Sequence, residues 1–240
     1  MKIGVITRKI RQLLPLRYCG AVIVAAGNAS RMGGIDKVMA PLGGEPMLLH
    51  TVRTFQNCDA IREIVVVTRA DLLETVMELC ATMDKVRAVV AGGADRPASV
   101  QAGLNALSKQ VQLVAVQDGA RPLVTDAVID RTVRAAHTYG AAAPAVPVKD
   151  TIKVVKGGVV RATPDRATLQ AVQTPQVFDV ALLRGALKKA AKKGTVITDD
   201  CSAVENMGMS VKIVEGDERN LKVTTPMDLE IARLLLEETK

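Results

Sequence analysis

The sequence predicts an α/β fold built on a mostly parallel sheet, and three observations predict it. Short, β-branched apolar runs recur at 21–25, 64–67, 86–90 and 113–116, each of a length suited to a buried strand. Segments of helical periodicity lie between them, and alternating strand and helix implies parallel neighbours joined by right-handed crossovers. The apolar composition agrees. Hydrophobic residues make up 48% of the 240, yet Tyr18, Phe55, Tyr139 and Phe178 are the only aromatics, so the core is Ala, Val, Leu and Ile. Strands covered on both faces need such residues.

Taken in order, residues 1–18 carry five basic side chains and no acid, and precede the first strand as a short extension. They lack the serine of a transit peptide and the unbroken apolar stretch of a secretory signal; a plastid address would follow only from a transit peptide. After the strand at 21–25 comes AAGNASRMGGIDK, a loop of small residues. Leu48, Val52 and Phe55 then recur at i, i+4 and i+7, and Leu73, Val76, Met77 and Cys80 repeat the stripe behind a cap at Asp71. The strand at 86–90 enters a glycine turn in which Pro97 marks a helix start. The strand at 113–116 leads to Asp118. Beyond Ala141 the alternation stops. Two β-rich runs, 151–155 and 159–162, are joined by Lys156-Gly157-Gly158 and read as a hairpin arm within about 147–166. Helical patterns return at 180–193, 199–207 and 226–238, with a strand at 211–215. No repeat or linker divides the chain, so 19–240 is expected to form a single domain.

Lysine and arginine total 32 against 25 acidic residues, a formal charge of +7. Nucleic-acid binders cluster their cations and interleave stacking aromatics, which are scarce here; a small anionic substrate accounts for the charge as well. Cys19, Cys58, Cys80 and Cys201 form no CxxC pair and only His50 and His137 could join them, which argues against structural zinc and for a reducing compartment. No apolar run approaches the ~20 residues of a membrane helix. A cytoplasmic protein without nucleic-acid or membrane partners is expected.

Three stretches carry chemistry. The loop after the first strand fits neither GxxxxGK[ST] nor GxGxxG. Ala25, Ala26 and Gly27 nevertheless let backbone amides approach phosphate oxygens, with Arg31 and Lys37 adding positive charge. Gly92 and Gly93, with Ser99 behind them, would let backbone groups meet a flat base edge. Asp118 ends a strand where functional groups of such sheets gather, and a hard oxygen ligand there suits Mg²⁺. Each has a plainer alternative: a surface turn, a helix entry and an N-cap.

AAGNASRMGGIDK, VAGGADRPASVQAGL, VQDGARPLV, VPVKDTIK, DRATLQAVQTPQVF, ITDDCSAVE and NLKVTTPMDL occur in the order found in the 2-C-methyl-D-erythritol 4-phosphate cytidylyltransferases, which the chain resembles over about residues 20 to 238. The resemblance implies a Rossmann-like three-layer αβα nucleotidyltransferase fold with a projecting β-hairpin arm. It implies attack of a sugar-alcohol phosphate on the α-phosphate of CTP, with release of pyrophosphate and with Mg²⁺ as cofactor. Arg31, Lys37 and Lys222 are then the catalytic cations. Ala25, Ala26, Gly27, Gly92, Gly93, Ser99 and Asp118 bind the nucleotide, Asp118 also holding the metal. Arg121, Thr151, Arg166 and Thr198 bind the alcohol phosphate, and the arm joins two subunits into a homodimer with shared sites. The sibling ribitol-5-phosphate cytidylyltransferases share most of these blocks, and a non-catalytic nucleotide-binding protein is a third alternative. The chain departs from the family pattern at a loop one residue shorter before Lys37, at Asp36 in place of a proline, and at Ala94 in place of an acid. Arg219 stands where some relatives have a second metal carboxylate, so either Asp118, phosphates and water hold the ion or Asp217 or Glu218 reaches in.

Overall fold

The computed structural model describes residues 11–27 and 38–238; Arg31, Asp36 and Lys37 lie outside the described residues. The four expected parallel strands are present as β1 (Cys19–Val24), β4 (Glu63–Thr68), β5 (Val86–Ala91) and β6 (Leu113–Asp118). Between the first two lies a small antiparallel pair, β2 (Pro41–Leu42) and β3 (Glu45–Pro46). The helices are α1 (Met47–Asn57), α2 (Leu73–Leu79), α3 (Arg96–Ala106), α4 (Asp126–Tyr139), α5 (Val180–Lys193), α6 (Asp200–Glu205) and α7 (Pro226–Glu237). Five further strands are β7 (Ala141–Pro147), β8 (Val154–Lys156), β9 (Val159–Ala162), β10 (Gln170–Val172) and β11 (Gln176–Asp179), followed by β12 (Lys212–Glu215).

The main sheet has eight strands in the order β10-β7-β11-β6-β1-β4-β5, with β12 added beside β7. β6, β1, β4 and β5 pair in parallel; β11 runs antiparallel to both β6 and β7. Alternate residues of β1 point to opposite layers, as strand periodicity requires. Ala21 and Ile23 meet Leu48, Val52 and Phe55 of α1 with Ile129 and Val133 of α4. Val22 faces Val100 and Leu104 of α3 with Leu183 of α5. This is the three-layer αβα arrangement.

Gly103 sets how closely α3 lies on the sheet, because a Cβ there would stand 2.3 Å from Val22 Cγ1 and 2.9 Å from Val67 Cγ2. Both are buried strand side chains with nowhere to move. Gly103→Ala is therefore expected to cost about 1–3 kcal/mol by overpacking and to lower Tm by several degrees, read by thermal unfolding. An unchanged Tm would mean that the helix can lift without loss.

Several expectations need correction. Asp71 does not cap α2: it lies in a 3₁₀ turn (Ala70–Leu72) and pairs with Arg69 at 2.9 Å. Met77 is exposed and Val76 is the buried residue of that short helix, which covers only a narrow strip of the sheet edge. The first arm strand starts at Val154 rather than at 151, and Thr151 lies in irregular chain before it. Beyond Ala141 the main sheet continues: β7, AAAPAVP, reads as poor strand by propensity but is buried between β12 on one side and β11 and β10 on the other.

The last residues of the N-terminal segment pack on this body. Arg17 pairs with Asp179 at 3.0 Å and donates to the carbonyls of Ala136 and His137, and the Arg11 carbonyl lies 2.6 Å from His137 Nε2.

Candidate active site

The parallel strands β1, β4, β5 and β6 all end on one edge, and their last residues and following turns line a cleft of about 460 Å³. Its walls include Ala25, Ala26, Gly27, Arg69, Gly92, Gly93, Asp95, Arg96, Ser99, Asp118 and Lys222. Crevices outside the carboxyl ends of such strands are where α/β sheets bind ligands.

One wall is the turn that opens α3. Asp95 caps the helix by accepting from the Ala98 amide at 2.8 Å, with Pro97 in the first turn. The Ser99 hydroxyl accepts from the Gly93 amide (3.1 Å) and donates to the Asp95 carbonyl (2.9 Å), so it shapes the turn from behind. Gly92 passes so close to the loop after β1 that a Cβ would sit 2.4 Å from that of Ala26. The two backbone segments thus form one continuous small-residue surface, open to an incoming planar group.

The other wall is electrostatic. Asp118, the last residue of β6, is 8% exposed. Its Oδ2 meets Lys222 Nζ at 2.9 Å, Arg121 Nε approaches the same oxygen at 3.6 Å, and Arg96 Nη2 lies 3.6 Å from Oδ1. Burial alone would raise this carboxyl, but Lys222, then Arg96 and Arg121, hold it below the ordinary carboxylate range. It is ionised at neutral pH.

The segment Gln173-Thr174-Pro175-Gln176 braces this wall. Thr174 Oγ1 accepts from the Asp118 amide (3.1 Å), and the Thr174 carbonyl accepts from Asn220 Nδ2 (2.9 Å). Gln173 donates to the Asp217 carbonyl (2.7 Å), and Arg121 Nη1 donates to the Asn220 carbonyl (2.6 Å), fixing the loop that presents Lys222. Gln176 donates to Asp199 (2.7 Å) and accepts from the Cys201 amide (3.1 Å), docking the start of α6 on β11.

Of the residues expected from sequence, Ala25, Ala26, Gly27, Gly92, Gly93, Ser99, Asp118 and Lys222 meet at the cleft. Four do not line it. Arg121 is turned beneath the wall toward Asn220. Thr151 and Arg166 are exposed on the arm, Arg166 donating to the Lys149 carbonyl at 2.8 Å. Thr198 is exposed and its amide donates to Ser202 Oγ, while Asp199 is the residue that caps α6.

The possible helper carboxylates also point elsewhere. Asp217 Oδ1 accepts from the Arg219 amide (2.8 Å) and Glu218 pairs with Lys149 (2.5 Å). Arg219 itself donates to the Leu235 carbonyl of α7 at 2.7 Å. Among the described residues no three His, Cys, Asp or Glu side chains gather as a metal cage. A single carboxylate still suits Mg²⁺ when substrate phosphates and water complete the shell.

Sequence reasoning overlooked Arg96 and Asp200. Arg96 Nη1 meets Asp200 Oδ2 at 2.7 Å, and Asp200 is 0% exposed. The doublet Asp199-Asp200 was the available signal, since one aspartate suffices to cap a helix and the second needs another partner.

A parallel-sheet fold whose carboxyl edge joins a glycine turn to a buried aspartate and the lysine paired with it has the form of a nucleotidyltransferase. Comparison with known proteins narrows the class. The family model for 2-C-methyl-D-erythritol 4-phosphate cytidylyltransferase matches residues 19–238, and the chain belongs to that family. The proteins of that name from Caldanaerobacter subterraneus subsp. tengcongensis and Symbiobacterium thermophilum are 44% and 48% identical; each alignment covers 90% of this chain, with 97% and 92% of the relative. The crystal structure of 4-diphosphocytidyl-2C-methyl-D-erythritol synthase from Anaerococcus prevotii superposes with a TM-score of 0.85 at 30% identity, covering 93% of this chain and all (100%) of that one. That of the Thermus thermophilus cytidylyltransferase gives 0.75 at 34% identity, covering 92% of this chain and 99% of the other.

Proposed function

We propose that this chain transfers a cytidylyl group from CTP to 2-C-methyl-D-erythritol 4-phosphate, releasing pyrophosphate. The observation that carries it is the cleft, which joins the glycine turn at Gly92 and Gly93 to the Asp118–Lys222 pair, 2.9 Å apart, on the scaffold of the family. In this reading the turn receives the cytosine and the amides of Ala26 and Gly27 face the phosphates, the Ala25 amide being held by the Val67 carbonyl at 2.7 Å. An oxygen of the alcohol phosphate attacks the α-phosphorus, and the bond to the bridging oxygen breaks as pyrophosphate leaves. Both reactants are anions, so fixed cations are the main requirement. Lys222 lines the cleft; Arg31 and Lys37 are assigned the same work from sequence. Asp118 would hold Mg²⁺, which when bound neutralises phosphate charge.

Turnover of CTP with methylerythritol phosphate and with ribitol 5-phosphate, assayed in parallel by pyrophosphate release, tests the substrate. Methylerythritol phosphate is expected to be preferred in kcat/KM by more than tenfold, about 1.4 kcal/mol in the transition state. The reverse preference would make this a ribitol-phosphate enzyme, and no release with either alcohol from folded, CTP-binding protein would defeat the enzymatic reading.

The active unit is proposed to be a homodimer of single-domain chains (19–240) joined by the arm. Among the described residues β8 and β9 pair only with each other, and Val154, Val155, Val159 and Val160 are each 48–55% exposed. A lone two-stranded hairpin is marginal in water, and an apolar surface of this kind calls for cover. A second copy supplies it and brings Arg166 and Thr151 to the neighbouring cleft. No helix among the described residues is long and apolar enough to cross a membrane, and the four cysteines are free and buried; both support a cytoplasmic setting.

A further inference from the structure

We infer that Asp200 is a positioning residue, which holds the Arg96 guanidinium away from Asp118 and so keeps the Asp118 carboxylate open to a divalent cation. The inference rests on Asp118 being the metal carboxylate. Arg96 stands between two carboxylates but divides itself unequally. Toward Asp200 it makes a charge-assisted hydrogen bond of 2.7 Å; toward Asp118 it keeps 3.6 Å, too long for one.

The environments explain the bias. Asp200 is wholly buried in the first turn of α6, its Oδ1 accepts no hydrogen bond among the described residues, and Arg96 is its one cationic partner there. A buried carboxylate depends on its partners to balance its charge, and Asp200 has Arg96 alone among the described residues. Asp118, though also largely buried, lines the cleft and has Lys222 at 2.9 Å and Arg121 at 3.6 Å, so its charge is balanced without Arg96. Arg96 therefore gains more from Asp200.

The placement of Asp200 is built in. Asp199 caps α6 with a reciprocal bond to Ser202, and Gln176 grips both the Asp199 side chain and the Cys201 amide. The carboxylate between them is held against α3 from the far side of the cleft wall. Without its charge, Arg96 would be free to close the remaining gap and form a direct pair with Asp118. It would then occupy the oxygen that a metal needs.

The test is Mn²⁺ binding by electron paramagnetic resonance to the full-length protein saturated with α,β-methylene CTP, which cannot be turned over. Asp200→Asn should weaken Mn²⁺ roughly tenfold, the scale typical of partners that orient a metal ligand. Asp200→Asn combined with Arg96→Gln should restore affinity to within about threefold of wild type, because the competing guanidinium is gone; a purely structural role for Asp200 predicts no such rescue. The double variant leaves no uncompensated buried charge, so it remains informative if Asp200→Asn alone does not fold. Weak Mn²⁺ binding by the double variant overturns the inference, as does unchanged binding by folded Asp200→Asn. Asp118→Asn separates the two levels. Loss of Mn²⁺ there with a failed rescue rejects the role of Asp200 alone, whereas intact Mn²⁺ binding by Asp118→Asn rejects the metal assignment and this inference with it.

Discussion

Asp118→Asn is expected to lower kcat by roughly a thousandfold, about 4 kcal/mol in the transition state, while the protein still folds. Two losses combine. The amide is a poor ligand for a hard cation, and it no longer balances Lys222 at 2.9 Å or Arg96 and Arg121 at 3.6 Å. Released from the carboxylate, Lys222 would engage phosphate in the ground state as readily as in the transition state, which tightens binding without helping the reaction. CTP affinity, measured calorimetrically, should therefore change far less than kcat. Near-normal turnover would reduce Asp118 to an element of the strand end.

The pH dependence follows from the same cations. The folded Asp118 carboxyl titrates below its unfolded value, so its contribution to stability is in place above about pH 4 and is lost as pH falls through the lower folded value. Its titration does not reach the neutral range where the enzyme would be assayed.

Mixing two inactive variants should restore activity if the arm completes the neighbour's cleft. Asp118→Asn disables the cleft of its own chain, and Arg166→Ala, on an exposed arm residue, would disable the cleft of the partner. Each homodimer is expected to be nearly inactive. In a mixed dimer both lesions fall on one cleft and leave the other intact. Equal amounts exchanged at random make half the dimers mixed, so activity should recover to roughly a quarter of wild type by two-fold counting. If Arg166 served its own chain, each cleft of a mixed dimer would carry one lesion. Absence of recovery, with exchange verified by native mass spectrometry, would exclude the shared site without touching the chemistry assigned to the cleft.

The strands β1, β4 and β6 are readable from sequence because their β-branched runs are buried on both faces, so local composition and final environment agree, and β5, half-buried at the sheet edge, is legible from its β-branched run alone. α5 is legible at both ends, since Asp179 caps it and Gly194 closes it in the left-handed conformation. The loop after β1, the Gly92–Gly93 turn and Asp118 are legible for a related reason: close approach and strand-end charge leave their mark on residue type. β7 and β11 are not. An Ala- and Pro-containing run becomes a strand only because neighbours from distant parts of the chain satisfy its backbone, and no local preference announces that. Nor could spacing reveal that Arg121 serves the Asn220 carbonyl rather than the cleft lining, or that Asp200 lies across the wall from Arg96, 104 positions away in sequence. The sequence by itself determined which charges and glycines the site contains. Tertiary structure decided which of them touch, because the strength of an ion pair depends on distance and burial, and these are set only when α3, α6 and the end of β6 have packed together.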